Sequence, residues 1–176
     1  SPDDACFELE YDLYDSGSVE AFEIGIDLDD GIDFDESGSG GVFASMVGVS
    51  ITSNLDEGLD FDEAGEGNIV INIIDSEATS NTDDGFKVSE EDDGGIIAIV
   101  SNSTASENGG KGFVLEAEDD SALFADFNGV ATSNNDDGDD TGLELVNEGE
   151  NSGFANVSDS IIADGIDADG VVVTQR

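Results

Sequence analysis

Six glycines in this chain each stand directly before an apolar residue, and the first four are spaced 27 residues apart. These glycines are Gly31, Gly58, Gly85, Gly112, Gly142 and Gly165. A fixed period of this length is typical of chains that stack one supersecondary unit on the next, and not of a single globular core. The period therefore constrains the fold more strongly than any other feature of the sequence.

Each glycine is followed by a short segment in which apolar and polar residues alternate. In the first of these segments, Ile32 and Phe34 flank Asp33. Such alternation is typical of a β-strand with one buried face. A second apolar stretch, beginning at Val42 and Phe43 in the first repeat, follows a turn rich in Gly, Ser, Asp and Glu. Each repeat is therefore predicted to contain two or more strands.

Asparagine recurs with the same period near the end of each repeat. The four residues are Asn54, Asn81, Asn108 and Asn135, and each follows a Thr or Ser by two positions. Equivalent residues of stacked coils lie about 4.8 Å apart. We therefore expect the four amides to form an internal ladder, hydrogen-bonded from coil to coil and to turn backbone.

A period of 27 residues with strands, polar turns and no amphipathic helix predicts an all-β fold, a right-handed parallel β-helix of about six coils. The coils are predicted to start near Asp4, Gly31, Gly58, Gly85, Gly112, Gly142 and Gly165. The first of them, 4–30, is inferred because Phe7 and Ile24 stand 27 residues before Phe34 and Ile51. The whole chain, 1–176, is interpreted as one β-helix domain, a segment of a longer protein or assembly.

The chain is strongly acidic, with 45 Asp and Glu against three basic residues and a formal net charge of −42. Such a surface repels nucleic acid and anionic membranes. No apolar run approaches the 18 or so residues of a membrane span. The sequence therefore predicts neither a nucleic-acid partner nor membrane insertion, and the periodic apolar positions indicate a folded scaffold with a charged coat.

In a parallel stack the acids fall into columns, such as Asp33 with Asp60 and Glu36 with Glu63 and Glu90. Their repulsion must be screened by diffuse counter-ions in a saline habitat, by bound divalent cations, or by a cationic partner surface. Calcium needs several oxygen ligands, which adjacent acidic turns offer; no other cofactor is required. The candidate metal ligands are Asp33, Asp35, Asp60, Asp62, Asp83, Asp84, Asp136, Asp137, Asp139 and Asp140, and the expanded turn 135–140 is the first place to look.

The units DGIDFDESG, EGLDFDEAG and DGFKVSEEDDGG are each followed by an apolar strand and a Ser/Thr-x-Asn ending. Over about residues 4 to 173 they resemble right-handed parallel β-helix repeat proteins, especially the acidic repeat arrays of very large bacterial secreted and surface proteins. The resemblance implies an extracellular or cell-surface location and a structural or adhesive role, with a glycan or surface receptor as partner. It transfers no catalytic residue.

An enzyme is the alternative, because the same fold class includes polysaccharide lyases and hydrolases. Lyases of this kind use Arg or Lys, and only Lys87, Lys111 and Arg176 are present; histidine is absent. We therefore expect a non-catalytic structural or adhesive segment, with a carbohydrate-binding or polysaccharide-degrading β-helix enzyme as the alternative. Uncapped coils also predict end-to-end self-association into filaments.

Overall fold

The computed structural model describes residues 29–119, 121–136, 138, 141–149 and 153–176, and the backbone of 8–10, 13–14, 18–19 and 23–25. Every regular element in these parts is a β-strand. A helix with the length and apolarity needed to cross a membrane does not occur in them.

The strands follow one another in groups of three per coil from residue 32 onward. Before that point lie β1 (Glu8–Glu10), β2 (Leu13–Tyr14), β3 (Ser18–Val19) and β4 (Glu23–Gly25). The first three coils contain β5 (Ile32–Glu36), β6 (Val42–Val47), β7 (Ser50–Thr52), β8 (Leu59–Gly65), β9 (Asn68–Ile74), β10 (Glu77–Thr79), β11 (Phe86–Asp92), β12 (Gly95–Ser101) and β13 (Thr104–Ser106). The remaining strands are β14 (Phe113–Ala117), β15 (Ala122–Asn128), β16 (Ala131–Ser133), β17 (Leu143–Asn147), β18 (Gly153–Ser158), β19 (Ile161–Ile162), β20 (Ile166–Asp169) and β21 (Val171–Gln175).

Strands of successive coils pair in parallel to form three sheets. The first sheet runs β5, β8, β11, β14, β17, β20 and is continued beyond β5 by β2 and β3, the second runs β6, β9, β12, β15, β18, β21, and the third β7, β10, β13, β16, β19. The stack makes about five turns spaced about 27 residues apart, where the sequence predicts about six coils. The prediction of an all-β parallel β-helix is confirmed.

The register survives the irregular repeat after Gly112. Phe113 pairs with Leu143, 30 residues later, and Leu143 pairs with Ile166, 23 residues later. The changes in length fall in turns between strands, where an insertion leaves the ladder of backbone hydrogen bonds intact. Before the stack, Glu8–Glu10 pairs antiparallel with Glu23–Gly25. Phe7, on which the predicted first coil depends, lies outside the described residues.

The interior of the stack is a narrow apolar core built by the inward residues of all three sheets. Phe86, Phe113 and Phe127 are its largest fully buried side chains. The rings of Phe86 and Phe113 stack with their centroids 5.0 Å apart, because the two residues occupy the same place in adjacent coils. The apolar residues that alternate along each strand thus align with their equivalents in neighbouring coils and form columns inside the solenoid.

The predicted asparagine ladder is present at the corner that precedes the first sheet. Asn54 Nδ2 donates to Asn81 Oδ1 at 2.8 Å, Asn81 Nδ2 to Asn108 Oδ1 at 2.9 Å, and Asn108 Nδ2 to Asn135 Oδ1 at 2.9 Å. The same Oδ1 atoms accept backbone N–H groups at 3.2 to 3.3 Å. Asp164 Oδ2 accepts from Asn135 Nδ2 at 3.0 Å and so continues the ladder into the next coil.

The four glycines spaced 27 residues apart, Gly31, Gly58, Gly85 and Gly112, pack against this asparagine ladder and the next coil. A Cβ added at Gly58 would lie 2.5 Å from the Gly85 carbonyl oxygen and 2.7 Å from Asn81 Nδ2, and Gly85 is crowded in the same way by Asn108. Both glycines have ordinary negative φ angles. They are required because the asparagine and the next coil approach too closely for any side chain, so the two sequence periods describe one packing feature.

A second internal column is acidic and lies at the corner that follows the first sheet. Glu36, Glu63 and Glu90 are paired in register and are 3%, 0% and 0% exposed. Neither carboxylate oxygen of Glu63 or Glu90 accepts a hydrogen bond. The prediction that the acids form a charged coat is wrong for this column, because its three side chains lie inside the solenoid.

Candidate functional site

The outward side of the first sheet carries two columns of charged residues, which together we call the acidic face. One column contains Asp33, Asp60, Lys87, Val114, Glu144 and Asp167, and the other Asp35, Asp62, Ser89, Glu116, Val146 and Asp169. The predicted vertical alignment of Asp33 with Asp60 and of Asp35 with Asp62 is confirmed. Acids of the coil junctions border this face on the side from which the strands enter.

Two lysines offset part of the negative charge. Lys87 Nζ lies 3.0 Å from Asp60 Oδ2 and 3.6 Å from Glu57 Oε1. Lys111 Nζ lies 2.5 Å from Glu144 Oε2. Burial alone would lower the pKa of Lys87, but the contacts with Asp60 and Glu57 outweigh it and raise that pKa. Each lysine therefore stays charged in the described structure and pairs with an acid of a neighbouring coil.

Several acids on this face bind protons more tightly than isolated carboxyls. Burial first, and then the charge of Asp35, raise the pKa of Asp33 to about 7. Burial and the charge of Asp60 raise the pKa of Glu57 to about 8. The pKa of Asp84 rises to about 6 through burial, although it accepts the Lys111 backbone N–H. Perturbed carboxyls grouped in this way mark candidate functional sites.

Three junction carboxylates come together closely enough to share a cation. One oxygen each from Asp30, Asp56 and Glu57 lies within 4.8 Å of the others. That limit equals about twice the 2.4 Å distance of a calcium–oxygen bond. The Glu57 backbone N–H also donates to Asp30 Oδ1 at 2.9 Å, which fixes the two junctions relative to each other. In the described residues this is the group of three acids with suitable geometry.

The predicted metal ligands are distributed differently. Asp33, Asp35, Asp60 and Asp62 lie on the acidic face, Asp83 and Asp84 lie at a coil junction, and Asp136 is exposed after the asparagine ladder. Asp137, Asp139 and Asp140, in the expanded turn, lie outside the described residues. No three of the predicted residues that are described form a group like that of Asp30, Asp56 and Glu57.

The ligands predicted from the sequence do not include Asp30, Asp56 and Glu57. The signal in the sequence is the recurrence of paired acids directly before the glycines, as in Asp29-Asp30-Gly31 and Asp56-Glu57-Gly58. Asp30 and Glu57 are 27 residues apart and form one column, and Asp56 joins them because the chain bends at the junction, whereas acids on a flat strand stay in separate columns.

An open cleft of about 450 Å³ lies beside the same junctions. Glu57, Asp84, Lys87, Lys111 and Glu116 contribute charged groups to its wall. The cleft thus combines two ammonium groups with carboxyls of raised pKa. Chemically, such a surface can bind a cation or offer hydrogen bonds to a polyhydroxylated ligand.

No protein-family model matches this chain, and no curated protein and no solved structure is found to match it. The part of the sequence resemblance that the structure bears out is the coarse one, a parallel β-solenoid of stacked coils.

Proposed function

We propose that this chain is a non-catalytic structural or adhesive β-helix segment of a secreted or cell-surface protein, stabilised by divalent cations at its acidic coil junctions. The observation that carries the proposal is the meeting of Asp30, Asp56 and Glu57 within 4.8 Å of one another at the junction of two coils. A cation bound there links successive turns, and a stack joined in this way serves as a rigid spacer or a display surface.

The composition of the acidic face supports the same proposal. Asp33 and Asp60 are adjacent in register, and unit charges about 5 Å apart repel by just under 1 kcal/mol even in water. Lys87 relieves the repulsion one coil further on. A divalent cation at the junction supplies positive charge where no lysine reaches. End-to-end self-association also belongs to the proposal, because exposed strand edges of a sheet can pair with a further chain.

Calcium titration tests the cation site. At fixed ionic strength, saturating Ca²⁺ at about 100 times its dissociation constant stabilises the folded state by about 2.7 kcal/mol. This corresponds to a rise in melting temperature of about 5 to 10 °C for a domain of this size. Sodium and magnesium at matched ionic strength should give clearly smaller rises. Equal responses to all three salts would leave screening alone and refute a specific site.

A matched pair of variants localises the effect. Asp30→Asn removes one ligand and should abolish most of the calcium-dependent rise. Asp93→Asn makes the same change in charge at an exposed turn position away from the junction, and should keep the full rise. If the two variants respond alike, the junction does not hold the cation.

The enzyme remains the second candidate because of the cleft beside Lys87 and Lys111. Glu57, with a pKa raised to about 8 by burial and the Asp60 charge, has the protonation state of a general acid near neutral pH. This candidate requires cleavage or binding of a polysaccharide on a panel of neutral and acidic glycans, with loss of activity in Glu57→Gln. A panel on which no glycan is cleaved or bound would exclude it.

A further inference from the structure

The outward side of the second sheet carries a continuous apolar stripe. Its members are Phe43, Val70, Ile97, Phe124, Phe154 and Val172, one from each strand, and each pairs in register with the next. Phe43 is 79% exposed and Phe124 is 52% exposed. Single exposed apolar residues are ordinary, but an aligned row of six is a candidate interaction surface.

The surroundings of the stripe are almost uncharged, in contrast to the rest of the chain. The neighbouring outward column contains Ser45, Asn72, Ile99, Asp126, Asn156 and Thr174. Asp126 is the single acid in this column and accepts a hydrogen bond from Asn156 Nδ2 at 2.7 Å. Although the chain contains 45 Asp and Glu residues, these two outward columns of the second sheet contain one.

We propose that this stripe is the interface of a twofold-symmetric dimer, in which a second copy of the chain packs its own stripe face to face with the two solenoid axes antiparallel. The proposal goes beyond the structural role proposed above and does not depend on it. Stacked β-sheets pack face to face at about 10 Å, with interdigitating side chains.

The order of residues along the stripe favours a second copy as the partner. When the stripe is reversed against itself, Phe43 faces Val172 of the second copy, Val70 faces Phe154, and Ile97 faces Phe124. Every phenyl ring then meets an aliphatic side chain, and no two rings compete for the same space. A twofold axis requires this kind of self-complementary surface.

The size of the face is sufficient for a dimer. Strands of up to seven residues at about 3.3 Å each, in six rows about 4.8 Å apart, give a face of roughly 600 Å². Two such faces bury roughly 1,200 Å², above the roughly 1,000 Å² that a specific interface needs. The dimer leaves the acidic faces of both copies in solvent.

Because the chain is highly charged, the affinity of the proposed dimer should depend on the salt concentration. Each copy has a net charge of −42, so two copies repel each other at long range and approach closely only through their near-neutral faces. Screening weakens this repulsion and leaves apolar packing in place. The dimer should therefore become tighter as the salt concentration rises, the opposite of an interface held by ion pairs.

Sedimentation equilibrium on the full chain at about 0.1 M and about 1 M NaCl tests the proposal. We expect a monomer–dimer equilibrium that shifts toward dimer at the higher concentration of salt. The double variant Ile97→Ser with Phe124→Ser should weaken dimerisation by about a hundredfold or more. The matched control, Leu55→Ser with Ile161→Ser, removes two exposed apolar side chains outside the stripe and should dimerise like the wild type.

A wild-type chain that stays monomeric at every concentration and at both salt concentrations overturns the proposal. So does a dimer that the stripe variant retains, or one that both double variants weaken equally. A monomer whose stripe binds an apolar dye would mean that another molecule covers the face, and this also refutes a second copy as its partner.

Cysteine cross-linking tests the antiparallel arrangement separately. In a background of Cys6→Ser, Phe43→Cys and Val172→Cys are made as two single variants. A mixture of the two should form a disulfide-linked dimer under mild oxidation. Each variant alone should not, because in a dimer of identical variants the two cysteines, one from each copy, lie at opposite ends of the interface. Cross-linking of each variant with itself would refute the antiparallel arrangement.

Discussion

The solenoid has two internal polar columns, one at each end of the first sheet, and they differ in whether their buried polar atoms are hydrogen-bonded. At the corner before the sheet, each side-chain amide from Asn54 to Asn108 donates to the next asparagine, so that Asn81, Asn108 and Asn135 each accept from the one before. At the corner after the sheet, Glu63 and Glu90 are equally buried and equally in register, yet their oxygens accept no hydrogen bond. Burial and register alone therefore do not determine whether a polar column is satisfied.

The difference follows from the donor and acceptor inventory of the two side chains. An amide carries both donors and acceptors, so a column of identical amides satisfies itself at any length. An ionised carboxyl only accepts, so a column of identical carboxylates needs protons or cations from outside. Accordingly, burial first, and then the neighbouring Glu36, raise the pKa of Glu63 to about 8, and burial raises the pKa of Glu90 to about 7.

The largest expected effect on stability comes from Asn81→Asp, because this substitution places a carboxyl inside the amide column. At pH 8 the variant should lose about 3 to 5 kcal/mol of unfolding free energy, the cost typical of an uncompensated buried charge. At pH 5 the loss should be smaller, because the protonated acid regains a donor. Urea unfolding at the two pH values measures both losses.

Asn134→Asp is the matched control for this change. Asn134 is the chain neighbour of the ladder residue Asn135, but its side chain is exposed. Its replacement adds the same charge and should cost well under 1 kcal/mol at either pH. Equal losses in the two variants would show that added charge, and not the interior ladder, controls stability.

The second prediction concerns the pH dependence of the unmodified chain. Carboxyls with a raised pKa hold their proton in the folded state up to about pH 6 to 8, whereas in the unfolded state they release it near pH 4. The folded state therefore binds more protons in this window, and stability falls as the pH rises through it. We expect the chain to be more stable at pH 5 than at pH 8 by at least about 3 kcal/mol, which is roughly the contribution of one carboxyl whose pKa is raised to about 7.

Thermal unfolding at the two pH values, with a chelator present and at fixed ionic strength, measures this difference. Repeating it at about 1 M NaCl separates the interior from the surface, because screening acts on exposed charges much more than on buried ones. A pH effect that disappears in high salt would assign it to the acidic face and not to Glu63 and Glu90.

Much of the fold is predictable from the sequence because the period is exact where the coils are regular. The register of Asn81 with Asn108 and of Asp33 with Asp60 needs only the 27-residue spacing. The interior position of Glu36 was also available from strand parity. Ile32 and Phe34 point inward, so the residue two positions further does the same, although its charge suggests the surface.

The candidate site is less predictable, for a geometric reason. Residues on a straight strand keep a fixed separation, which a repeat period reveals. Asp30 and Glu57 are 27 residues apart, so the period aligns them, but Asp56 joins them because the backbone bends at the junction, and a sequence period does not specify the direction of that bend. The apolar stripe is readable residue by residue, as at Phe43 and Phe124, but its isolation from charge depends on which face each turn presents.

The smallest expected effect comes from Glu63→Gln, which makes one position of the carboxyl column resemble the asparagine column. The amide keeps the size of the side chain, cannot ionise, and brings two donors that the neighbouring carboxyls of Glu36 and Glu90 can accept. At pH 8 the variant should be more stable than the wild type by about 1 to 2 kcal/mol. At pH 5 the gain should vanish, because the acid that it replaces is already protonated.

The control is Glu66→Gln. Glu66 follows directly after β8, the strand that contains Glu63, and this substitution removes the same charge from an exposed position. It should shift the melting temperature little and by the same amount at both pH values, since its side chain is solvated in the folded and unfolded states. If Glu63→Gln behaves like Glu66→Gln, the buried carboxyl of Glu63 is not protonated in the folded state in the way proposed. A pH-dependent gain confined to Glu63→Gln would instead show that a buried carboxyl column is held together by the protons it retains.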